Sequence, residues 1–322
     1  MRISKYDNIS GEPFSGYIIC NNMRYYIRRG ILILIPPTRI TTCNKLRGLY
    51  EALPPAPWKA FKNEFVRHMR LSHLRLIKEC LSFILEKNNE SKIVSILAIG
   101  CGWGWELWAT KFLIDSMNNH RYLLLGIDIA GKPIKYGRKL IVGRGIENMD
   151  LAISPAEKLP FKSESFDLIL GIFGALDHSR AYFRIFKEVN RVLKRKGVFG
   201  FTVLNKFALD WMLKVISKPK LFIKTLIKAK EPFTRVTIPL PKGGRVRIPT
   251  HYYNPIEVKK ILRLSGFKLI KAFSIFSLLL MNFKRSKLNR LEKVLSKLEL
   301  LLCEKPFFRY IGRYISIIAR KA

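Results

Sequence analysis

Several features that define common protein classes are scarce in this sequence. Its 322 residues include no glutamine, 23 acidic residues and five scattered cysteines. Because an odd number of dispersed cysteines with no signal peptide before them does not suit a disulfide framework, we expect free thiols and a cytoplasmic location. Long uncharged apolar runs such as residues 272–283 are shorter than the roughly 20 residues that a transmembrane helix needs. We therefore predict no membrane span.

Basic charge, in contrast, is in excess. The chain has 59 Lys and Arg, a formal net charge of +36 and 48% hydrophobic residues, a composition that excludes a disordered chain. Residues 205–322 alone hold 27 basic and 6 acidic residues. We expect an anionic partner, either RNA or an acidic membrane surface at which the protein would be peripheral. The open alternative is a thermophile-like composition, rich in lysine, in which the charge has no binding role.

Hydrophobic periodicity and turn signals divide the chain into five regions. Residues 91–204 alternate apolar runs with helical stretches, which is the pattern of a parallel sheet flanked by helices. Right-handed crossovers then give an α/β, Rossmann-like doubly wound sheet. The other predicted regions are a small β-rich head over residues 1–50, a helical linker over 51–90, a basic α+β lid insertion of helix plus hairpin over 205–253, and a C-terminal part over 254–322 with a helical insertion at 283–310.

Individual elements can be predicted within this outline. The strands expected for the core sheet are Ile93 to Ile99, Tyr122 to Ile127, Met149 to Ile153, Phe166 to Ile172, Val198 to Val203, Phe267 to Ser274 and Tyr314 to Ala319. Helices are expected near residues 105–118, 133–142 and 181–193, and Asn254 followed by Pro255 is a helix start.

The motif that carries chemistry begins at the first of these strands. Residues 96–106 read Ile-Leu-Ala-Ile-Gly-Cys-Gly-Trp-Gly-Trp-Glu, a strand that runs into a glycine-rich turn and then into a helix. Such a turn lets the backbone approach a ligand closely, and several nucleotide-binding folds use one. The next strand ends at Asp128. Its carboxylate would lie beside the turn, where it can accept hydrogen bonds from both hydroxyls of a ribose.

Further sequence blocks follow in order after Asp128: Ala156 to Phe161, Ser165 to Leu168, Leu176 to His178 and Glu188 to Lys194. With them, residues 93–204 resemble the class I S-adenosylmethionine-dependent methyltransferases, in particular the type 11 branch that includes ubiquinone and menaquinone methyltransferases. The resemblance implies a methyltransferase (EC 2.1.1.-) with S-adenosylmethionine as its cofactor. It also implies a seven-stranded sheet, parallel except for an antiparallel C-terminal strand.

The resemblance further implies which residues form the site. Those expected at the cofactor are Gly100, Cys101, Gly102 and Gly104 along the methionine and ribose, Asp128 at the ribose diol, Ile129 on the adenine, and Ala156 and Glu157 at the adenine edge. If the acceptor must lose a proton, the candidates for a catalytic role are Asp177, His178, His251 and Tyr252.

Some positions depart from the family pattern. Ala98 stands where an acidic residue usually helps to hold the amino end of the cofactor, Pro155 replaces another acidic residue, and Lys196 replaces the first glycine of a Gly-Gly pair. An alternative is therefore a catalytically weak, S-adenosylmethionine-binding scaffold or an RNA-binding partner protein.

The head also resembles a known module, the second half of a small zinc ribbon that precedes some methyltransferases. Met23 stands where a Cys-x-x-Cys pair starting at Cys20 would need its second cysteine. The head is thus expected to be metal-free, and the five dispersed histidines show no metal-ligand spacing. We predict no metal site.

The acceptor stays open at this level. The basic segment 244–247 near Tyr252 would suit RNA, since cations next to aromatic rings contact backbone and bases. The basic apolar helix expected over 207–229 and the apolar run 272–283 would suit a lipid surface or a small apolar acceptor. Both segments would also suit a third interpretation, in which they only cover the sheet.

Overall fold

The structure is a computed structural model of the chain. It describes residues 2–6, 13–20, 23–28, 31–34, 48, 51, 62–85, 93–117, 121–172, 174–216, 233–239, 245–279 and 287–322. The described strands are β1 (Arg2–Tyr6), β2 (Pro13–Cys20), β3 (Met23–Arg28), β4 (Ile31–Ile33), β5 (Val94–Ile99), β6 (Tyr122–Asp128), β7 (Met149–Ile153), β8 (Phe166–Gly171), β9 (Leu193–Leu204), β10 (Phe233–Pro239), β11 (Arg245–His251), β12 (Phe267–Ile275) and β13 (Tyr314–Lys321). The described helices are α1 (Glu64–Leu85), α2 (Trp105–Asp115), α3 (Gly131–Val142), α4 (Tyr182–Val192), α5 (Leu209–Ile216), α6 (Pro255–Leu264) and α7 (Arg290–Leu302).

The core is a mixed sheet whose central strands are parallel. Its order is β1-β2-β3-β4-β7-β6-β5-β8-β9-β13-β12. Strands β7, β6, β5, β8 and β9 run parallel to one another, and β13 runs antiparallel between β9 and β12. The predicted Rossmann-like fold with an antiparallel C-terminal strand is therefore confirmed.

The first strands of the chain extend this sheet. Ile33 of β4 pairs with Ile153 of β7 in parallel, and the N–H of Leu34 donates to the carbonyl of Ile153 at 2.7 Å. Strands β1 to β4 thus continue the edge beyond β7, and they extend the seven expected strands to a sheet of eleven strands within the described residues. This pairing covers the edge of β7. Without it, β7 would be an exposed edge strand with unpaired backbone N–H and C=O groups. The zinc-ribbon interpretation of the head stays a prediction.

Helices cover both faces of the sheet. Alternate residues of β5 point to opposite faces, with Ile96 and Ala98 packing in a cluster with α1, α2 and α3, and Leu97 and Ile99 in a cluster with α4 and α6. Helix α6 begins where it was predicted, since the Asn254 side chain accepts from the N–H of Glu257 at 2.8 Å in a capping box.

The apolar run after α6 belongs to the core. Ala272, Phe273 and Ile275 in β12, and Phe276 and Leu279 after it, are buried. The interpretation of this run as a lipid-binding surface is therefore wrong for residues 272–279, because most of these side chains are buried in the core, where Phe276 and Leu279 share a cluster with Phe65 of α1. Residues 280–286 lie outside the described residues. The basic helix expected over 207–229 is described only as α5, and its remainder also falls outside. In the described part of the chain, no helix is long and apolar enough to cross a membrane.

Candidate functional site

The glycine-rich turn after β5 has a backbone that other residues rarely adopt. Gly100, Gly102 and Gly104 have φ angles of 62°, 57° and 87°, in the left-handed region that favours glycine. A Cβ built on Gly100 would lie 2.8 Å from the Cβ of Ala175, whereas one built on Gly102 would meet no described atom within 4 Å. The turn is thus tightly packed at Gly100 and open at Gly102, which leaves room for a ligand against its backbone.

Asp128 fixes the shape of this turn. It ends β6, the neighbour of β5, and its Oδ2 accepts from the N–H of Gly102 at 2.8 Å while its Oδ1 accepts from the N–H of Ala130 at 2.8 Å. Burial raises the pKa of this carboxyl, and the two backbone N–H groups oppose that shift. Each oxygen of a carboxylate has two lone pairs, and those that the backbone N–H groups leave unused are available for a hydroxyl of a ligand.

The other predicted cofactor residues lie at the same edge of the sheet. The N–H of Ser154 donates to the carbonyl of Asp128 at 3.0 Å, which joins the loop after β7 to the loop after β6. Ala156 and Glu157 follow in that loop, and Glu157 Oε1 accepts from the Ser179 hydroxyl at 2.6 Å. The loops that follow three neighbouring strands therefore meet beside the glycine turn, at the carboxyl ends where α/β sheets bind ligands.

A buried polar cluster next to the turn was not predicted. Glu106, in the first turn of α2, is buried, and its Oε2 has no hydrogen-bond partner among the described residues. Burial raises its pKa to about 7, although the charge of Arg70 opposes the shift. The guanidinium of Arg70, on α1, lies 4.1 Å from the centre of the Trp105 ring. The sequence signal for this cluster was the acidic Glu106, two positions after the last glycine of the turn. Its partner Arg70 on α1 lies more than 30 residues earlier in the sequence, so the pair could not be predicted from local spacing.

Glu51 is a second residue that sequence reasoning missed. Its Oε1 accepts from the N–H of Gly131 at 2.6 Å, and its Oε2 from the N–H of Lys132 at 3.1 Å. The carboxylate thus caps the N-terminus of α3, where the helix dipole favours negative charge. Its charge also contributes to the raised pKa of Asp128. The region 51–90 was interpreted only as a helical linker, so this contact was not expected.

Asp177 and its neighbours form the other side of the site. The N–H of His251 donates to the Asp177 carbonyl at 2.7 Å, and His178 Nδ1 lies 3.2 Å from the carbonyl of Pro249, so β11 runs alongside residues 174–179. Asp177 is fully buried. Its Oδ1 accepts from the N–H of Leu204 at 3.0 Å, and its Oδ2 has no partner among the described residues. Burial raises the pKa of Asp177 to about 7.

The remaining catalytic candidates differ from Asp177 in their surroundings. The His251 ring is stacked on Tyr182, with centroids 4.7 Å apart, and its Nε2 lies 2.7 Å from Glu257 Oε1. Burial lowers the pKa of His178, so its ring is neutral at pH 7. Burial raises the pKa of Tyr252, which is half-buried. Of the four, Asp177 therefore presents the buried acceptor atom whose hydrogen-bonding capacity is unused within the described part of the structure.

Loop 174–179 connects the two sides of the site. Ala175 packs against Gly100 in the glycine turn, Ser179 donates to Glu157, and Asp177 and His178 contact β11 and its neighbours. The glycine turn and Asp177, whose Oδ2 has no partner among the described residues, are thus joined by one short loop. In the described residues, no group of three or more His, Cys, Asp or Glu side chains is arranged to hold a metal ion.

Comparisons with known proteins agree with this geometry. Residues 97–201 match the family Methyltransf_11, described as a methyltransferase domain. The chain is 29% identical over 278 residues to Uncharacterized protein MJ1252 of Methanocaldococcus jannaschii, which covers 86% of this chain and 90% of that protein. It is 30% identical over 104 residues to a demethylmenaquinone methyltransferase of Geobacillus stearothermophilus, which covers 29% of this chain and 44% of that enzyme.

A solved structure is also similar. A SAM-dependent methyltransferase of Methanosarcina mazei aligns with a TM-score of 0.49 and 21% identity, covering 74% of this chain and 96% of that one. The match of the family to residues 97–201 includes the glycine turn, Asp128 and Asp177. Residues 97–201 of this chain therefore match a methyltransferase domain of this family, and the match contains the residues that form the site described above.

Proposed function

We propose that this protein transfers the methyl group of S-adenosylmethionine to a small apolar acceptor that carries an ionisable hydroxyl or an acidic carbon. The observation that carries the proposal is the position of loop 174–179. Its Ala175 packs against Gly100 of the glycine turn, and its Asp177 carries an Oδ2 atom that has no partner among the described residues. A donor bound at the turn and an acceptor near Asp177 would then be neighbours, and proximity of this kind supplies much of the rate in group transfer.

The cofactor residues have the following proposed roles. S-adenosylmethionine, when bound, supplies a methyl group activated by a sulfonium centre. The turn from Gly100 through Cys101 and Gly102 to Gly104 brings its backbone close to the methionine and ribose. Asp128 accepts hydrogen bonds from the ribose diol, Ile129 packs on the adenine, and Ala156 and Glu157 lie at the adenine edge. The open space over Gly102 and the orientation of Asp128 by two backbone N–H groups support this assignment.

Asp177 is the proposed proton acceptor. Its pKa of about 7 means that it is partly ionised at neutral pH and can take a proton from an acceptor of similar acidity. Because Asp177 is fully buried, the acceptor must enter a site that is shielded from water, which favours a small apolar molecule. His178 and Tyr252 would contact the acceptor, and His251 would orient β11 beside it. The methyltransferase relative named for demethylmenaquinone supports an acceptor of this class.

A second function is favoured by one observation. Ala98 is 1% exposed in β5, so the strand offers no carboxylate to the amino end of the cofactor. A weak, S-adenosylmethionine-binding scaffold, or an RNA-binding partner protein, would not need that carboxylate. An Ala98→Asp variant separates the two functions, because a large gain in cofactor affinity and turnover would indicate that the natural site is weakened.

The test is transfer of a labelled methyl group from S-adenosylmethionine, by the purified protein, into a cell extract that is then separated into RNA, protein, lipid and small-molecule fractions. We expect label in the lipid or small-molecule fraction, and its loss in Asp128→Ala and Asp177→Asn. The matched control is Asp150→Asn, at an exposed aspartate that pairs with Arg138 on the surface. Label in RNA would contradict the proposed acceptor, and no label despite binding of S-adenosylhomocysteine would favour the scaffold.

A further inference from the structure

Helix α7 presents an apolar stripe to the solvent. Leu291, Val294, Leu298 and Leu301 are 65%, 54%, 41% and 73% exposed. Their spacing of three, four and three residues places them on one side of the helix. Single exposed leucines are ordinary, but a continuous stripe of four on one helix marks an interaction surface.

The opposite side of α7 is firmly attached to the protein. The Glu299 carboxylate is buried and accepts from the N–H groups of Phe276, Leu278 and Leu279, at 2.7, 2.9 and 3.0 Å. It also pairs with His68 Nε2 at 2.8 Å. These contacts fix the rotation of the helix about its axis. The outward orientation of the stripe is therefore part of the fold.

Basic side chains border the stripe. Arg290, Lys293 and Lys297 are exposed, and on a helical projection they lie along one edge of the four apolar residues. Glu292 belongs to the capping box with Asn289, at the start of the helix. The exposed surface of α7 thus combines an apolar stripe with a cationic border, within a chain whose formal net charge is +36.

The apolar stripe and its cationic border favour one of two possible binding partners for the exposed surface of α7. A second copy of the chain would match the spacing, because three-four spacing also forms coiled-coil seams. Pairing two copies would, however, bring the same cationic borders together. An anionic bilayer would neutralise them and would accept the apolar side chains at the boundary between headgroups and acyl chains. We propose that α7 docks this protein on an anionic phospholipid surface, lying parallel to the bilayer with the stripe inserted.

The proposal goes beyond methyl transfer and does not depend on which acceptor the protein uses. The test is co-sedimentation of the full-length protein with vesicles of phosphatidylcholine containing phosphatidylglycerol, compared with vesicles of phosphatidylcholine alone. We expect binding to the anionic vesicles that weakens as salt rises. In Leu291→Ser/Leu301→Ser, the partition coefficient should fall about tenfold or more, since two exposed apolar side chains no longer insert.

The matched control removes two exposed apolar side chains from another helix. Ile256 and Leu264 of α6 are 78% and 55% exposed, and Ile256→Ser/Leu264→Ser should bind the vesicles as the parent does. Lys293→Ser/Lys297→Ser, which leaves the apolar stripe intact, should bind the anionic vesicles about tenfold less tightly. Far-ultraviolet circular dichroism of each variant shows that its core is folded, and binding of S-adenosylhomocysteine, measured separately, tests the methyltransferase proposal.

Three results would overturn the docking proposal. One is absence of binding to the anionic vesicles at low salt. Another is an equal loss of vesicle binding in Ile256→Ser/Leu264→Ser and in Leu291→Ser/Leu301→Ser. The third is a dimer, detected by analytical ultracentrifugation, that dissociates in Leu291→Ser/Leu301→Ser, because the stripe would then pair two copies.

Discussion

His68 Nε2 lies 2.8 Å from Glu299 Oε1, and the two side chains are 5% and 1% exposed. The pair joins α1, which precedes the strands of the parallel core in the sequence, to α7, which lies between the last two strands of the sheet. Glu299 also accepts from backbone N–H groups in the segment after β12. One carboxylate therefore holds together segments that are up to 231 residues apart. Burial opposes its ionisation, but the hydrogen bonds outweigh that effect and leave the pKa of Glu299 below its usual value.

Glu299→Gln should reduce the free energy of unfolding by about 3 kcal/mol. A glutamine side chain has only one oxygen that accepts, so some of the buried N–H groups that donate to the Glu299 carboxylate would lose their partner. Urea denaturation would measure the change. Glu147→Gln, the same substitution at an exposed glutamate, should change the stability by less than about 0.5 kcal/mol. Equal effects of the two variants would contradict the structural role given to Glu299.

Gly102→Ala should weaken S-adenosylhomocysteine binding by about tenfold or more, because the new Cβ would project into the space proposed for the cofactor. Gly145→Ala is a matched control, since Gly145 has a φ of 62° and a Cβ there would also meet nothing within 4 Å. Both alanines would adopt a left-handed backbone, which costs about 1 kcal/mol of stability. Calorimetric titration would measure the binding. If Gly102→Ala left the affinity for S-adenosylhomocysteine unchanged, the cofactor would not bind against this turn.

Lys196→Gly should stabilise the protein by about 1 kcal/mol. Lys196 has a φ of 62°, in the region that glycine occupies without strain, and it is exposed. Arg195→Gly tests the reason, because Arg195 is also exposed and its φ is not positive; glycine there only adds chain entropy and should destabilise the strand by about 0.5–1 kcal/mol. The measurement is the midpoint of thermal unfolding. Loss of stability in both variants would mean that the Lys196 side chain itself contributes.

The rate of methyl transfer should rise with pH through about 7 if Asp177 accepts the proton. Its pKa is about 7, and the group acts only when it is ionised. Asp177→Asn should lower kcat by about a hundredfold and remove this step from the pH profile, since general-base catalysis contributes typically 10² to 10⁴ in rate. A step near pH 7 that persists in Asp177→Asn would belong to another group.

The same carboxyl predicts how stability depends on pH. The pKa of Asp177 is about 7 when folded and is about 3.9 for an ordinary aspartate, so the folded state binds its proton more tightly. The stabilisation that this bound proton adds to the free energy of unfolding is therefore fully present below pH 4 and is lost as pH rises through 7. Asp177→Asn keeps an oxygen for the Leu204 N–H and should be more stable than the parent by about 2–4 kcal/mol at pH 8, with no difference at pH 4. Denaturation at both pH values would detect this; an equal difference at both would contradict it.

Local patterns were sufficient for much of the fold. The core strands follow apolar runs that are bounded by turn residues, and α6 begins at Asn254 because an asparagine cap is satisfied within four residues. The pairing of Asp128 with the glycine turn was predictable for a similar reason. Each ends one of two adjacent parallel strands, and only one crossover separates them.

Other parts of the site could not be predicted in this way. Asp177 was a candidate among four, and only its full burial, with an Oδ2 that has no partner among the described residues, distinguishes it from His178, His251 and Tyr252. Glu51 and Glu106 were not identified, because their partners lie on other elements. The extension of the sheet by β1 to β4 also depends on a pairing across more than 100 residues, between Ile33 and Ile153.

Hydrophobic period, turn chemistry and short spacing are local properties, and they were sufficient to predict the elements of the core, the glycine turn with Asp128 and the resemblance to the methyltransferases. Packing between distant segments, in contrast, sets which carboxyl groups are buried, which of their oxygens have no partner among the described residues and which side of α7 faces the solvent. The physical reason is that burial depends on what packs against a residue from distant parts of the chain. The raised pKa of Asp177, the His68 and Glu299 pair and the exposed stripe of α7 therefore exist only once the chain is folded.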